Sequence, residues 1–242
     1  MSETERLYNQ NRGVAGTADL AFSEGLRKYM LGVYNYMALG VAATGLIAFF
    51  FVTNPAAAAT VGGLGFIPFI ALLALGWFAP KIIMSGSKGA AHATYWGYVA
   101  LWGVLIGPMI AAYFGLGLAG MVTQAFFIST SIFLAMSLYG YTTKKDLSGW
   151  GKFLFMASIG LLIAIVVNFF IGSSMVSLIV SSLVVVVFSA VTAYETQMIR
   201  NLYVEGGGEM NERSSIFGAF ALYGSFVTLF IHVLNILGIM RD

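Results

Sequence analysis

The chain has 242 residues, of which 59% are hydrophobic and 9% are charged, with a mean hydropathy of +0.88 and a formal net charge of +2. Soluble domains carry about 25% charged residues, so a chain this apolar is expected to be an integral membrane protein. The small net charge argues against a nucleic-acid partner. The absence of cysteine excludes disulfides and thiolate metal sites.

The hydropathy pattern predicts an all-α membrane protein with seven transmembrane helices, because a bilayer-crossing helix needs roughly 20 apolar residues. The second apolar run is the shortest and carries Pro68. Two of the predicted loops contain only two residues each, Phe114–Gly115 and Gly172–Ser173. We therefore expect tight antiparallel hairpins at these loops, in which glycine adopts positive φ. The predicted spans are Met30–Val52, Val61–Phe78, Thr94–Tyr113, Leu116–Leu138, Phe153–Ile171, Ser174–Ile199 and Ile216–Ile239.

The seven-helix domain, residues 30–242, follows an N-terminal tail of residues 1–29 that mixes acidic and basic side chains. The tail has no apolar core and is not a signal peptide. Every Lys and Arg except Arg241 lies in this tail or in the loops after the second, fourth and sixth spans. By the positive-inside rule, this distribution predicts a cytoplasmic N-terminus and independently supports the count of seven.

Glu195 is the one acidic side chain that lies inside a membrane-length apolar run. A carboxylate in that setting costs several kcal/mol unless it is paired, hydrated or protonated, so it marks a functional site by default. Arg200 follows about 7.5 Å further along the helix axis, which puts Glu195 toward the cytoplasmic side. Two interpretations follow: an ion pair with Arg200 or a loop lysine, or a titratable, ion-binding group that faces the bundle interior.

The seventh span carries polar residues on one helical face. Ser225, Thr228, His232 and Asn235 follow the spacing i, i+3, i+7, i+10. Such a face either makes hydrogen bonds to neighbouring helices or lines a water-filled permeation path. His232 would accordingly be either a pH sensor near neutrality or a simple hydrogen-bonded histidine.

Enzyme activity is not expected, because the sequence shows no phosphate-binding loop, no metal-ligand cluster and no pair of intramembrane aspartates. Ser225 and His232 are separated by about 10.5 Å of helix rise, too far for a nucleophile and its base. The small pair Gly103 and Gly107 is more typical of close helix packing than of chemistry. No resident cofactor is predicted.

Five motifs in the later part of the chain are distinctive in combination. They are Gly103-Val-Leu-Ile-Gly107-Pro108, Ala125–Phe133, Ser137–Ser148, Ala193-Tyr-Glu-Thr-Gln197 and Ala221–Phe230. Together they resemble the signature of the Bax inhibitor-1 family, also called the transmembrane BAX inhibitor motif family, and its bacterial YccA-like branch in particular. The resemblance covers most of Thr94–Gly238, whereas the N-terminal third matches only in hydropathy.

The resemblance implies six helices around a central seventh, and a pH-sensitive passive leak of calcium or other cations. In the best understood members of the family, two aspartates on the last two helices share a proton and gate the pore, and the matching positions are Glu195 and Ser225. Glutamate keeps one carboxyl group, but serine removes the other. We therefore expect weakened or shifted pH gating, and weaker binding of a divalent cation that is held only in transit.

Two classes of function remain at the level of sequence. The first is a cation leak channel in which Glu195 and Ser225 form the gate or ion site and Thr228, His232 and Asn235 line the pore. The second, implied by the YccA-like resemblance, is a non-conducting regulator of an FtsH-type membrane protease, with residues 1–29 as its cytoplasmic handle. Either protein would reside in a bacterial inner membrane.

Overall fold

The structure is a computed structural model that describes the backbone of residues 3–241 and the side chains of residues 23–241. The proposed cytoplasmic handle, residues 1–29, lies mostly outside the described side chains and stays a prediction. The described chain is helical throughout, with no strand in residues 3–241. The helices are α1 (Glu3–Thr53), α2 (Pro55–Gly63), α3 (Ile67–Ser85), α4 (Lys88–Gly115), α5 (Ala119–Thr142), α6 (Gly151–Ile171), α7 (Ser174–Asn201) and α8 (Gly208–Ile239), with a 3-10 turn at Ser148–Trp150.

In the part of the chain that the structure describes, seven helices are long and apolar enough to cross a membrane, which confirms the predicted class and number of spans. They are the Ser23–Thr53 part of α1 and helices α3 to α8, while α2 is a short connecting helix. Large apolar side chains such as Leu46, Trp77 and Phe170 are more than 70% exposed. In a bilayer these side chains contact lipid, so their exposure requires no protein partner.

The predicted second span was wrong at both ends. It was expected at 61–78, but the helix that crosses is α3, from Ile67 to Ser85. The residues around Val61 belong to α2, and Gly65 has a φ of +57°, which separates α2 from α3. Pro68 therefore stands in the first turn of α3, where its missing N–H costs nothing, instead of inside a span.

Glycine forms the turns between adjacent spans, although not always at the expected position. Gly172 has a φ of +70° and ends α6, as predicted. The turn between α4 and α5 uses Gly117 at φ +74° instead of Gly115, because α4 continues through Gly115. Both turns adopt the left-handed conformation that side chains with a Cβ disfavour.

The last helix, α8, is central, as the family resemblance implied. In its most apolar stretch 72% of the residues are buried, compared with 6–28% in the other spans. It packs against α7, α5, α1, α4 and α3, while α6 packs on the outer side of α7. The polar residues of its middle, Ser225, Thr228, His232 and Asn235, are buried or half-buried inside the bundle.

Helices α3, α5 and α7 all end at the same end of the bundle, where most of the basic residues also lie. We call this end the basic end. There, Arg213 Nη1 donates to the Gly86 carbonyl at 3.1 Å, and Lys88 forms an ion pair of 2.5 Å with Glu212. The Gln197 side chain accepts a hydrogen bond from the Leu147 N–H and donates another to the Lys145 carbonyl. These contacts fix the loops after α3 and α5 to the two helices that carry the candidate site.

Candidate functional site

The side chains of Glu195 and Ser225 meet where α7 packs against α8. Ser225 Oγ donates a hydrogen bond of 2.7 Å to Glu195 Oε2. This distance is typical of a hydrogen bond between a hydroxyl and an oxygen acceptor. Glu195 lies six residues before the end of α7 at Asn201, so the contact is about 9 Å from the basic end along the helix axis.

A cavity of about 450 Å³ opens beside this contact, in the half of the bundle nearer the basic end. Its floor is formed by α7 and α8, and its walls come from α3, α4 and α6. Glu195, Ser225 and Thr228 line it together. Most of the remaining lining is aromatic or aliphatic: Pro80, Tyr98, Leu154, Phe155, Phe188, Val191, Tyr194, Met198, Phe217, Phe220 and Ala221.

No basic side chain lines this cavity, and Glu195 forms no ion pair within residues 23–241. Arg200, its alternative partner from sequence, turns away and donates from Nη1 to the Tyr141 carbonyl at 2.6 Å. Tyr141 is in the last turn of α5, where carbonyl groups lack helical partners and favour a cation. The structure therefore brings Glu195 together with Ser225 and not with Arg200.

The polar face of α8 divides into two parts. Ser225 and Thr228 line the cavity, although the Thr228 hydroxyl also donates to the Gly224 carbonyl of its own helix at 2.8 Å. His232 and Asn235 lie further along α8 and do not line it. Instead they contact serines of α7, so this part of the face makes the helix–helix hydrogen bonds that were one of the two sequence interpretations.

Ser181 of α7 lies at the centre of a polar cluster with His232 and Asn235 of α8. Asn235 Nδ2 donates to Ser181 Oγ at 2.8 Å and to Ser177 Oγ at 2.9 Å. Because Ser181 accepts from Asn235, its own hydroxyl proton is available to His232 Nδ1, which lies 3.0 Å away. This direction suits a neutral imidazole that carries its proton on Nε2.

We predict that Ser181→Ala destabilises the protein by about 1–3 kcal/mol, because it leaves His232 Nδ1 without a partner and removes one of the two hydrogen bonds that Asn235 donates to α7. Ser182→Ala is the matched control. Ser182 is exposed, and its hydroxyl bonds only the Leu178 carbonyl of its own helix. Thermal unfolding of the purified variants in detergent measures the difference, and equal midpoints for the two variants would contradict the assigned network.

Sequence reasoning missed the aromatic lining of the cavity. Tyr98 on α4 and Phe155 on α6 are far from Glu195 in the chain, and no spacing rule connects them to it. Gln197, two residues after Glu195, was noted only as part of a motif, yet it anchors the loop between α5 and α6. Its position inside a strongly apolar run was the available signal.

The described part of the chain contains no group of three or more His, Asp or Glu side chains arranged to hold a metal ion. The site therefore consists of one carboxyl group, the hydroxyl that bonds it, and a largely apolar cavity. Taken with the fold, it defines a multi-pass α-helical membrane protein with an acidic group at the contact between its last two helices.

Comparison with known proteins gives the family. A family model described as "Inhibitor of apoptosis-promoting Bax1" matches residues 26–242, so the chain belongs to the Bax inhibitor-1 family. The chain is 38% identical over 224 residues to the protein RP147 of Rickettsia prowazekii, covering 91% of this chain and 93% of that protein. It is 36% identical over 225 residues to the inner membrane protein YbhL of Escherichia coli, covering 90% and 94%. A protein of Deinococcus radiodurans is 40% identical over 218 residues, with coverage of 90% and 92%.

Proposed function

We propose that this protein is a passive leak pathway for cations, gated at the contact between Glu195 and Ser225. The observation that carries the proposal is the 2.7 Å hydrogen bond between these side chains, which joins α7 to α8 beside a cavity that no basic side chain lines. A carboxylate without a protein cation beside it attracts cations from solution. Family membership supports the same function, because the two positions match those of the family's paired acids.

The arrangement corresponds to a closed state. The cavity contains Glu195, Ser225 and Thr228, but the polar cluster of His232 and Asn235 further along α8 is separate from it. Leu229 and Phe230, which lie along α8 between Thr228 and His232, are buried. A continuous path would require α7 and α8 to shift against each other, and the Ser225–Glu195 hydrogen bond would have to break when they do.

The single carboxyl group also bears on ion selectivity. Calcium prefers six to eight oxygen ligands, and carboxylates are the strongest of these. Among the described side chains, Glu195 is the only carboxylate that lines the cavity. We therefore expect weak retention of calcium and little preference for it over monovalent cations.

We place the protein in a bacterial inner membrane with its N-terminus in the cytoplasm. The positive-inside pattern supports this orientation, since the basic end of the bundle would face the cytoplasm. The location is supported by the relative YbhL of Escherichia coli, which is named as an inner membrane protein.

Flux into liposomes tests the proposal. Purified wild-type protein should admit calcium and a monovalent cation at rates well above those of protein-free liposomes, in proportion to the amount of protein reconstituted. A wild-type protein that is folded, correctly inserted and silent for both ions would overturn the leak function. That outcome would favour the alternative of a non-conducting regulator of an FtsH-type membrane protease, tested by copurification that depends on residues 1–29.

A further inference from the structure

The cavity beside Glu195 has the composition of an organic ligand site. Its volume of about 450 Å³ is far larger than the roughly 30 Å³ occupied by one water molecule. It also falls in the range of about 300–1,000 Å³ that is typical of small-molecule pockets, which are mainly apolar with a few placed polar groups. Six aromatic side chains line it: Tyr98, Phe155, Phe188, Tyr194, Phe217 and Phe220.

The charge in this cavity is a single carboxylate that has no counter-ion among residues 23–241. Glu195 Oε2 accepts from Ser225, and Oε1 has no hydrogen-bond partner among residues 23–241. The nearest basic residue along the helix, Arg200, is engaged with Tyr141. A ligand that completes this site must therefore bring a positive charge, and the surrounding rings favour one that is weakly hydrated.

Organic ammonium ions match both requirements. The faces of Tyr and Phe rings attract ammonium groups, and aromatic cages are a general means of binding quaternary and substituted amines. Their apolar substituents would occupy the remaining volume, where burial is favourable. A bare metal ion would fill only a small part of the same cavity and would find a single carboxylate.

The fold also leaves an entrance on the membrane side. Helices α3 and α6 approach each other at the end opposite the basic end, where Phe66 packs against Phe169 with ring centroids 4.4 Å apart. Nearer the basic end the two helices are separated by the cavity, and α3 contributes Gly76 and Pro80, which have little side-chain bulk. Phe155 on α6 is 58% exposed and also lines the cavity, so it stands at this lateral opening.

We propose that the cavity between α3 and α6 is a binding site for organic ammonium ions with apolar substituents, which enter from the bilayer and pair with Glu195. The proposal goes beyond the cation leak and does not rest on it, because binding is measured without flux. A protein that conducts without binding amines would contradict only the amine site. A protein that binds amines without conducting would contradict only the cation leak.

Equilibrium binding of radiolabelled benzyltrimethylammonium to purified protein in lipid nanodiscs tests the proposal. We expect saturable binding to wild type and a loss of at least about tenfold in affinity for Glu195→Gln, since an interaction with a partly buried charge is removed. Glu212→Gln is the matched control, because Glu212 pairs with Lys88 outside the cavity. Phe155→Leu should weaken binding about two- to fivefold, while Phe153→Leu, which alters an exposed residue outside the cavity, should not.

Competition by the uncharged carbon analogue, neopentylbenzene, keeps the test valid even if a variant fails to fold, because it needs only the wild-type protein. The analogue has the same shape without the charge, so it should compete at least about tenfold less well. Equal competition by the analogue, unchanged binding to folded Glu195→Gln, or an equal loss in Glu212→Gln would each overturn the proposal.

Discussion

Glu195→Gln is expected to lower cation flux at least about tenfold and to leave a residual flux that no longer depends on pH between about 6 and 8. Glutamine retains the size of glutamate but removes the charge. Within residues 23–241, Glu195 is the only carboxylate that lines the cavity, and no histidine lines it. With the charge removed, the cavity no longer concentrates cations, and no group beside the gate changes its protonation in this range.

The matched control for this prediction is Glu212→Gln, the same substitution at a site outside the cavity. Glu212 forms an ion pair with Lys88 at the basic end. Its loss should alter flux less than twofold, because Glu212 does not line the cavity. A folded Glu195→Gln protein with wild-type flux and wild-type pH dependence would show that the carboxyl group is structural.

Ser225→Asp is expected to make flux depend more steeply on pH between about 6 and 8, because it restores a second carboxyl group. Ser225 Oγ is 2.7 Å from Glu195 Oε2, so an aspartate at this position would place two carboxyl groups in contact. Two carboxylates this close do not readily both ionise, and they share a proton whose loss switches the charge of the pair. The second carboxylate should also increase the apparent affinity for calcium, since it adds hard oxygen ligands.

Ser225→Asn separates the effect of charge from that of size. Asparagine has the shape of aspartate without an ionisable group, so its flux should keep the shallow pH response of wild type. The measurement is calcium and monovalent flux in liposomes across the same pH range. An equally steep response in Ser225→Asn, or none in a folded Ser225→Asp protein, would contradict the shared-proton account.

The spans were predictable because membrane insertion requires long apolar helices, and such helices are visible in the sequence as apolar runs of about 20 residues. The exception was the second span. The sequence around Val61 is as apolar as a span, but Gly65 turns the chain and Pro68 starts a new helix. A hydropathy window averages over such a turn, so it could not separate α2 from α3.

The site was predictable in part. Glu195 was identified because a lone acid in an apolar run is costly, and its pairing with Ser225 followed from the family motifs. The choice between Ser225 and Arg200 depended on helix geometry. Five residues at 100° each place Arg200 about 140° around α7 from Glu195, so the two side chains face different neighbours. The aromatic walls come from α3, α4 and α6, and only the tertiary fold brings them to Glu195.

The central claim is that Glu195 and Ser225 act as one gate, and a double-mutant cycle of flux tests it most directly. The cycle compares wild type, Glu195→Gln, Ser225→Ala and the double variant in the same liposomes. If the two residues form one unit, Ser225→Ala changes flux and its pH dependence in wild type but has almost no further effect once Glu195 is glutamine. Effects that multiply independently in a folded double variant would contradict the claim.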